Sequence, residues 1–366
     1  MTRREMALAS TAGLAAMSAA GDTIDGARFD PVAYSRERYK SAPLRLKFTA
    51  TTPGAAQAWQ RKLRVKIREL IGPLPENPST LRPKVLETKD FGTYTREKII
   101  FSSREGMDVF GYLLKPKAVQ GRLPVMVCVP GHGRGVDDLV GIDEKGEQRT
   151  TPAGYQFDYP LQFVARGVAA FAIEPLAFGY RRDPINAAKS ATANSCQPAA
   201  GAALLFGETM IGWRAYDVMR TIDYVETRKD LDATRVGCVG ISGGGTCAMF
   251  ASAIDTRIKA TMISGYLCTF RDCILSLAHC MDNYVPGILN WAEMSDVAGL
   301  IAPRPLFVES GELDRIFPLP GFKEGYEGTK KIYDVLGAGP LLGMEIHPGA
   351  HQFSGVKGIP FLVASL

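Results

Sequence analysis

The sequence predicts an α/β fold, a mostly parallel sheet flanked by helices, with irregular segments over the carboxyl edge of its strands. Two observations lead to it. From Leu123 onward, short continuous apolar runs alternate with amphipathic stretches, as in βαβ units whose strands are covered on both faces. Within that alternation, Gly240-Ile241-Ser242-Gly243-Gly244 sits between an apolar run and an Ala-rich stretch, so a sharp strand-to-helix turn is expected there.

Taken in order, the chain opens with Arg3-Arg4 and then runs uncharged from Ala7 to Ala20, ending Ser18-Ala19-Ala20 before Gly21. That is the layout of a signal peptide over residues 1–20, of the twin-arginine variety, and it predicts export to the periplasm or beyond. The alternative is an Ala-rich terminus of a cytoplasmic protein. Met6–Ala20 is 15 residues long and includes Ser and Thr, too short and polar for a span of about 20 apolar residues. With no cysteine before Cys128, no lipid anchor is expected. Residues 21–87 read as an N-terminal arm and a helix. The helix, Ala55–Ile71, carries Trp59, Leu63, Val65, Ile67 and Leu70 among Lys and Arg; Pro53-Gly54 precedes it and Gly72-Pro73 stops it.

Residues 88–366 read as the catalytic domain. Residues 93–101 and 109–114, joined by the turn Ser103-Arg104-Glu105-Gly106, predict antiparallel edge strands. Then follow strand 124–129, helix 159–166, strand 168–173, helix 209–227, strand 235–240, helix 246–254 and strand 258–263. Strands 306–308 and 344–346 flank helix 326–335. The long irregular stretches 175–207 and 266–290 each follow a strand, which places them at the carboxyl edge, where ligands bind in open α/β sheets.

Of the 366 residues 46% are hydrophobic and 22% charged, and 43 Lys and Arg are interspersed with 38 Asp and Glu for a net +5. No basic stripe forms, which argues against nucleic acid as a partner. Seven cysteines cannot all pair. Cys128 and Cys238 lie in apolar runs. Cys268, Cys273 and Cys280 are not spaced as zinc ligands and no His pair completes such a set. One bridge among Cys196, Cys268, Cys273 and Cys280 stays open for an exported chain. No metal and no cofactor is expected.

The chemistry centres on Ser242. The glycines do not fit a phosphate loop: neither G-x-G-x-x-G nor G-x-x-x-x-G-K-[ST] is present. A serine nucleophile needs a base, and His351, in the loop after the last strand, can take its proton; His347 ends that strand and reads as structural. The acid orienting the imidazole is sought after strand 306–308, where Glu309, Glu312 and Asp314 compete. Asp314, past the turn and before Ile316-Phe317, is preferred. For a developing oxyanion, the amide of Gly243 follows the nucleophile. Pro130-Gly131-His132-Gly133 offers a second donor at His132 or, failing that, Gly133.

With these residues in hand, the chain resembles α/β-hydrolase-fold serine esterases of the acetyl xylan esterase-like and dienelactone hydrolase-like branch. Pro130–Gly133, Trp213–Tyr224, Gly240–Gly244, Gly311–Pro318 and His351 carry the resemblance, from about residue 88 to the end. It departs from the pattern where His-Gly usually opens the oxyanion loop and Pro-Gly stands in this chain. The resemblance implies ester hydrolysis through an acyl-enzyme, often of acetyl groups on carbohydrate, so a small-molecule or carbohydrate ester is the expected partner. In the overhanging segments, Tyr180, Arg181, Tyr266, Asn283 and Tyr284 are the candidate substrate contacts: aromatic and polar groups together suit a sugar or aromatic ester. The rival readings are a peptidase or amidase with the same triad, and a non-catalytic binding protein on a hydrolase fold.

Overall fold

The computed structural model describes residues 29–366; the expected leader at 1–20 lies outside them. The described residues fall into two units, the first ending at Ser41 and the second spanning Ala42–Leu366. In the first, helix α1 (Pro31–Lys40) occupies part of the stretch read as an irregular arm. The Asp30 carboxylate accepts from the amides of Val32 and Ala33 at 2.8 and 3.0 Å, and Pro31 takes the first turn, where its missing N–H costs nothing. With no residue of α1 buried there is no apolar stripe, so periodicity could not reveal it.

The second unit is built on one sheet. Its strands are β1 (Lys84–Asp90), β2 (Tyr94–Arg104), β3 (Met107–Pro116), β4 (Leu123–Val129), β5 (Ala169–Ile173), β6 (Leu231–Ile241), β7 (Ile258–Ser264), β8 (Leu306–Gly311) and β9 (Leu342–His347). They lie in the order β1-β2-β3-β5-β4-β6-β7-β8-β9. β1, β2 and β3 are antiparallel, β3 runs antiparallel to β5, and every pair from β5 to β9 is parallel. The expected antiparallel edge is therefore present. It gains β1, an outer strand exposed along its whole length, which has no buried face to impose alternation.

The helices are α2 (Pro53–Leu70), α3 (Val136–Leu139), α4 (Tyr159–Val164), α5 (Pro184–Lys189), α6 (Cys196–Leu205), α7 (Met210–Thr227), α8 (Gly243–Ile254), α9 (Met294–Gly299), α10 (Leu319–Val335) and α11 (Gly358–Ala364). Parallel strands covered on both sides send alternate residues to opposite layers. Val125, Val127 and Val129 of β4 join Phe171 of β5 in a core with α2, α7, α8, α9 and α10. Met126 and Cys128 point the other way, to Tyr159 and Phe163 of α4 and Ile359 and Leu362 of α11. α2 and β1 belong to this same compact unit.

Two helices start earlier than periodicity indicates. α8 opens on Gly243-Gly244-Gly245, and α10 opens on a stretch with Pro320, Gly321 and Gly325 that reads as loop. At Gly321 and Gly325 the requirement is space. A Cβ would come 2.5 Å from Cys268 Sγ at the first and 2.6 Å from the Cys268 carbonyl oxygen at the second.

Strand order reverses around β4: the chain goes from β4 to β5 on one side and returns to β6 on the other. The crevice beyond the carboxyl ends of β4 and β6 is thus the topological switch point, where this class of sheet places its ligands.

Candidate active site

Ser242 ends β6 and begins α8 with φ 57° and ψ −124°, a conformation costly for a residue with a side chain. The turn is held by Ser242 N–H donating to the Ser264 carbonyl and by Thr246 N–H donating to the Ser242 carbonyl, both at 3.0 Å. Glycine is needed around it because backbones nearly touch. A Cβ at Gly244 would lie 1.9 Å from the Val129 carbonyl oxygen, and one at Gly131 would lie 2.9 Å from Ser242 Cβ. The loop after β4 is in this way pressed onto the serine. The peptide of Gly243 opens α8, so its N–H lies in the first turn, where a helix supplies no acceptor.

Asp314 lies in the loop after β8 and His351 in the loop after β9. The two loops are tied by Glu312 N–H to the His347 carbonyl at 2.9 Å and Leu313 N–H to the Gly349 carbonyl at 2.8 Å. Asp314 Oδ2 is 2.7 Å from His351 Nδ1, while Oδ1 accepts from the amides of Ile316 and Phe317 at 2.8 and 3.0 Å. Glu312 is exposed. Glu309 turns away: it accepts from Ser264 Oγ at 2.7 Å and from the Ser354 and Gly355 amides at 2.9 Å, and burial lifts its carboxyl to about 7. His347 is buried, and that burial lowers its pKa.

Ser242, His351 and His132 line one cavity of about 400 Å³ with Tyr155, Leu277, Ala278, His279, Cys280 and Ile316. His351 Nε2 is buried and has no hydrogen-bond partner among the described residues. Tyr155 is a functional candidate that sequence reasoning misses: its hydroxyl donates to the His132 carbonyl at 2.7 Å and its ring stacks on His351 with centroids 5.9 Å apart. Nothing in its surrounding loop sequence signals this. His279 is a second. Burial lowers its pKa to about 4, so it is neutral, and neither ring nitrogen has a partner among the described residues.

The five expected substrate contacts are elsewhere. Arg181 is partly buried, its side chain turned inward to donate to the Glu174 carbonyl at 2.8 Å and Asp217 Oδ2 at 2.7 Å. Tyr266 is fully buried against Phe317, and Asn283 is buried accepting from Thr246 Oγ1 at 2.6 Å. Tyr284 lines a separate small cavity, and Tyr180 faces a polar groove with its hydroxyl on Asp137 at 2.8 Å. Aromatic and polar composition marks one contributing segment, 266–290, but none of the residues lining this cavity comes from 175–207, and composition cannot tell lid packing from cavity lining. In the cavity wall from 277 to 280, Leu277, Ala278 and Cys280 carry no such mark.

Sheet order, the serine turn and the acid–histidine pair define an α/β-hydrolase. The chain belongs to the Abhydrolase family, whose profile matches residues 40–331. It is 27% identical over 286 residues to a Bacillus subtilis (strain 168) protein described as "Putative hydrolase YtaP", covering 75% of this chain and 88% of the relative. Among solved structures it is similar to a "putative acetyl xylan esterase" of Bacteroides fragilis NCTC 9343, with TM-score 0.74, 19% identity and coverage of 89% and 84% of the two chains. It is also similar to a glucuronoyl esterase of Solibacter usitatus, with TM-score 0.65, 19% identity and coverage of 88% and 97%. No helix among the described residues is long and apolar enough to cross a membrane.

Proposed function

We propose that the protein is a serine esterase for small, uncharged acyl groups, including acetyl esters of carbohydrates, working through Ser242, His351 and Asp314. The observation that carries this reading is the Asp314–His351 pair at 2.7 Å opening, with Ser242, into one cavity. In the reaction the Ser242 hydroxyl donates its proton to His351 Nε2 as the oxygen attacks the ester carbonyl. Asp314 keeps the Nδ1 proton in place and balances the imidazolium. The Gly243 amide and that of His132 or Gly133 receive the oxyanion. His351 then protonates the departing alcohol, and water, activated by the same imidazole, releases the acid.

A cavity of about 400 Å³ holds a small acyl group together with part of its alcohol. No Lys or Arg lines it among the described residues, which favours a neutral ligand over a carboxylate. The similar structure named as a putative acetyl xylan esterase points to carbohydrate as the alcohol. Residues 1–20 are read as an export leader, and amino-terminal sequencing of the secreted fraction tests it.

The test is hydrolysis of p-nitrophenyl acetate through octanoate by wild type and Ser242→Ala. Activity highest on acetate and reduced on the order of 10⁶-fold in Ser242→Ala supports the proposal. Faster turnover of peptide anilides, or esterase activity that survives in Ser242→Ala, overturns it.

A further inference from the structure

Where His132 and Cys280 form part of the cavity wall lies a cluster whose side chains the ester chemistry does not use. Four side chains from three separate segments converge: His132 after β4, Cys196 at the start of α6, and Cys280 and Asp282 in the stretch after β7. Their ligand atoms all lie within 4.8 Å of one another. His132 Nε2 is 3.6 Å from Cys196 Sγ and 3.4 Å from Asp282 Oδ2, and Cys196 Sγ is 3.4 Å from Asp282 Oδ2. Zinc holds sulfur at about 2.3 Å and nitrogen or oxygen at about 2.0–2.2 Å, so the edges of its tetrahedron measure about 3.3–3.8 Å. All three separations fall in that interval.

The surroundings match as well. Arg214 is buried, forms an ion pair with Asp282 and donates to Cys196 Sγ at 3.3 Å. Its position is fixed by two further bonds to the Leu176 carbonyl, at 3.0 and 2.6 Å. A guanidinium on both a carboxylate and a sulfur is an outer-sphere partner that orients ligands. Two thiolates and one carboxylate supply three negative charges; Zn²⁺ and the guanidinium supply three positive ones. Asn283 Nδ2 donates to Asp282 Oδ1 at 2.9 Å, leaving Oδ2 toward the cluster.

We propose that His132, Cys196, Cys280 and Asp282 form a zinc site that clamps the loop after β4 to α6 and to the 280–282 segment. Four protein ligands make it a closed, structural site rather than a place for a reacting water. Two thiols release their protons on binding, so the exchange of two protons for Zn²⁺ leaves the buried charge unchanged. The expectation of no metal rests on spacing in sequence, whereas these ligands are spread over 150 residues and only the fold unites them. The proposal does not depend on the esterase reading.

The experiment uses the full chain, produced with added zinc and purified under thiol reductant. Metal content is measured on wild type, Cys280→Ser and Cys196→Ser, with circular dichroism as the folding control. Chelator-stripped wild type is then titrated with Co²⁺. One zinc per chain, a thiolate-to-cobalt charge-transfer band, and affinity at least about 100-fold weaker in folded Cys280→Ser support the site, since even outer-sphere partners are worth 10–100-fold. Absence of stoichiometric zinc in wild type, a cobalt adduct without the charge-transfer band, or full zinc retention in both folded variants overturns it. A Cys196–Cys280 disulfide that persists under reductant also overturns it. Should the serine variants not fold, the wild-type stoichiometry and cobalt spectrum decide. Because the readouts are metal content and spectrum, failure of the esterase reading leaves this result standing.

Discussion

Asp314 has no freedom to trade roles with its neighbours. One carboxylate oxygen is held by two backbone amides and the other faces His351 Nδ1. Asp314→Asn keeps the shape but can place an N–H against the imidazole and select the wrong tautomer. Its kcat is expected to fall about 10⁴-fold, while Glu312→Gln, at an exposed position, leaves kcat within about twofold. Ester turnover by the two purified variants separates them. His279 offers a different test. It lines the cavity as a neutral imidazole above pH of about 4, with both nitrogens unpartnered among the described residues. If it hydrogen-bonds the bound ester, His279→Ala lowers kcat/KM by about tenfold, the value of one such bond. The loss should be the same from pH 5 to 8, because no charge on His279 changes there. A loss that grows as pH falls would assign His279 a protonated role instead.

At the scale of elements, the loop after β4 is shaped from beneath by Glu174 at the end of β5. Its fully buried carboxyl accepts from the amides of Val136, the first residue of α3, and of Tyr180, each at 3.3 Å. A Cβ at Gly135 or Gly179 would lie 2.3 or 1.9 Å from that carboxyl, and both glycines have positive φ. Burial raises the carboxyl from 4.5 to about 8, so the native chain keeps a proton that the unfolded chain releases. The stabilisation is complete below pH of about 4.5 and is lost as pH rises toward about 8, amounting to a few kcal/mol. Glu174→Gln stays neutral, so its urea-unfolding free energy should fall less steeply over that window than wild type's; identical slopes would show that Glu174 is not protonated. Glu309, raised to about 7, adds a slope of the same sign that remains in the variant. This device is invisible in the sequence, where Glu174 is one acid after an apolar run. The strands themselves are legible, since burial on both faces writes continuous apolar runs such as Pro124–Val129. The serine turn is legible because close backbones demand its glycines. β1 and α1 are not, having no buried stripe, and the cavity lining is not, because Tyr155 and Cys280 reach it only through the fold.

Across the whole molecule, α2 anchors the far end of the helix that begins just after Ser242. α2 lies against α8, α9 and α10, burying Trp59, Leu63 and Ile67. Its polar side chains finish its neighbours' ends. Arg64 Nε donates to the Ala253 carbonyl and Nη2 to the Leu300 carbonyl, both at 2.9 Å, and Arg68 Nη1 donates to the Ile254 carbonyl at 3.2 Å. Gln60 Nε2 donates to the Gly299 and Ala302 carbonyls at 3.1 and 2.7 Å. The last turn of α8, whose first turn follows Ser242, therefore ends on cations that complement its dipole. Removing one such cation acts on the fold as a whole, because the orphaned carbonyls sit where three helices meet. Arg64→Met keeps most of the aliphatic stem and is expected to cost about 1–3 kcal/mol, lowering Tm by a few degrees. The α8 amino-terminal turn is fixed independently, by Ser264 and by the loop after β4, so kcat on p-nitrophenyl acetate at 25 °C should stay within about twofold of wild type. A large drop in kcat with unchanged Tm would mean instead that the position of Ser242 depends on how α8 is anchored at its carboxyl end.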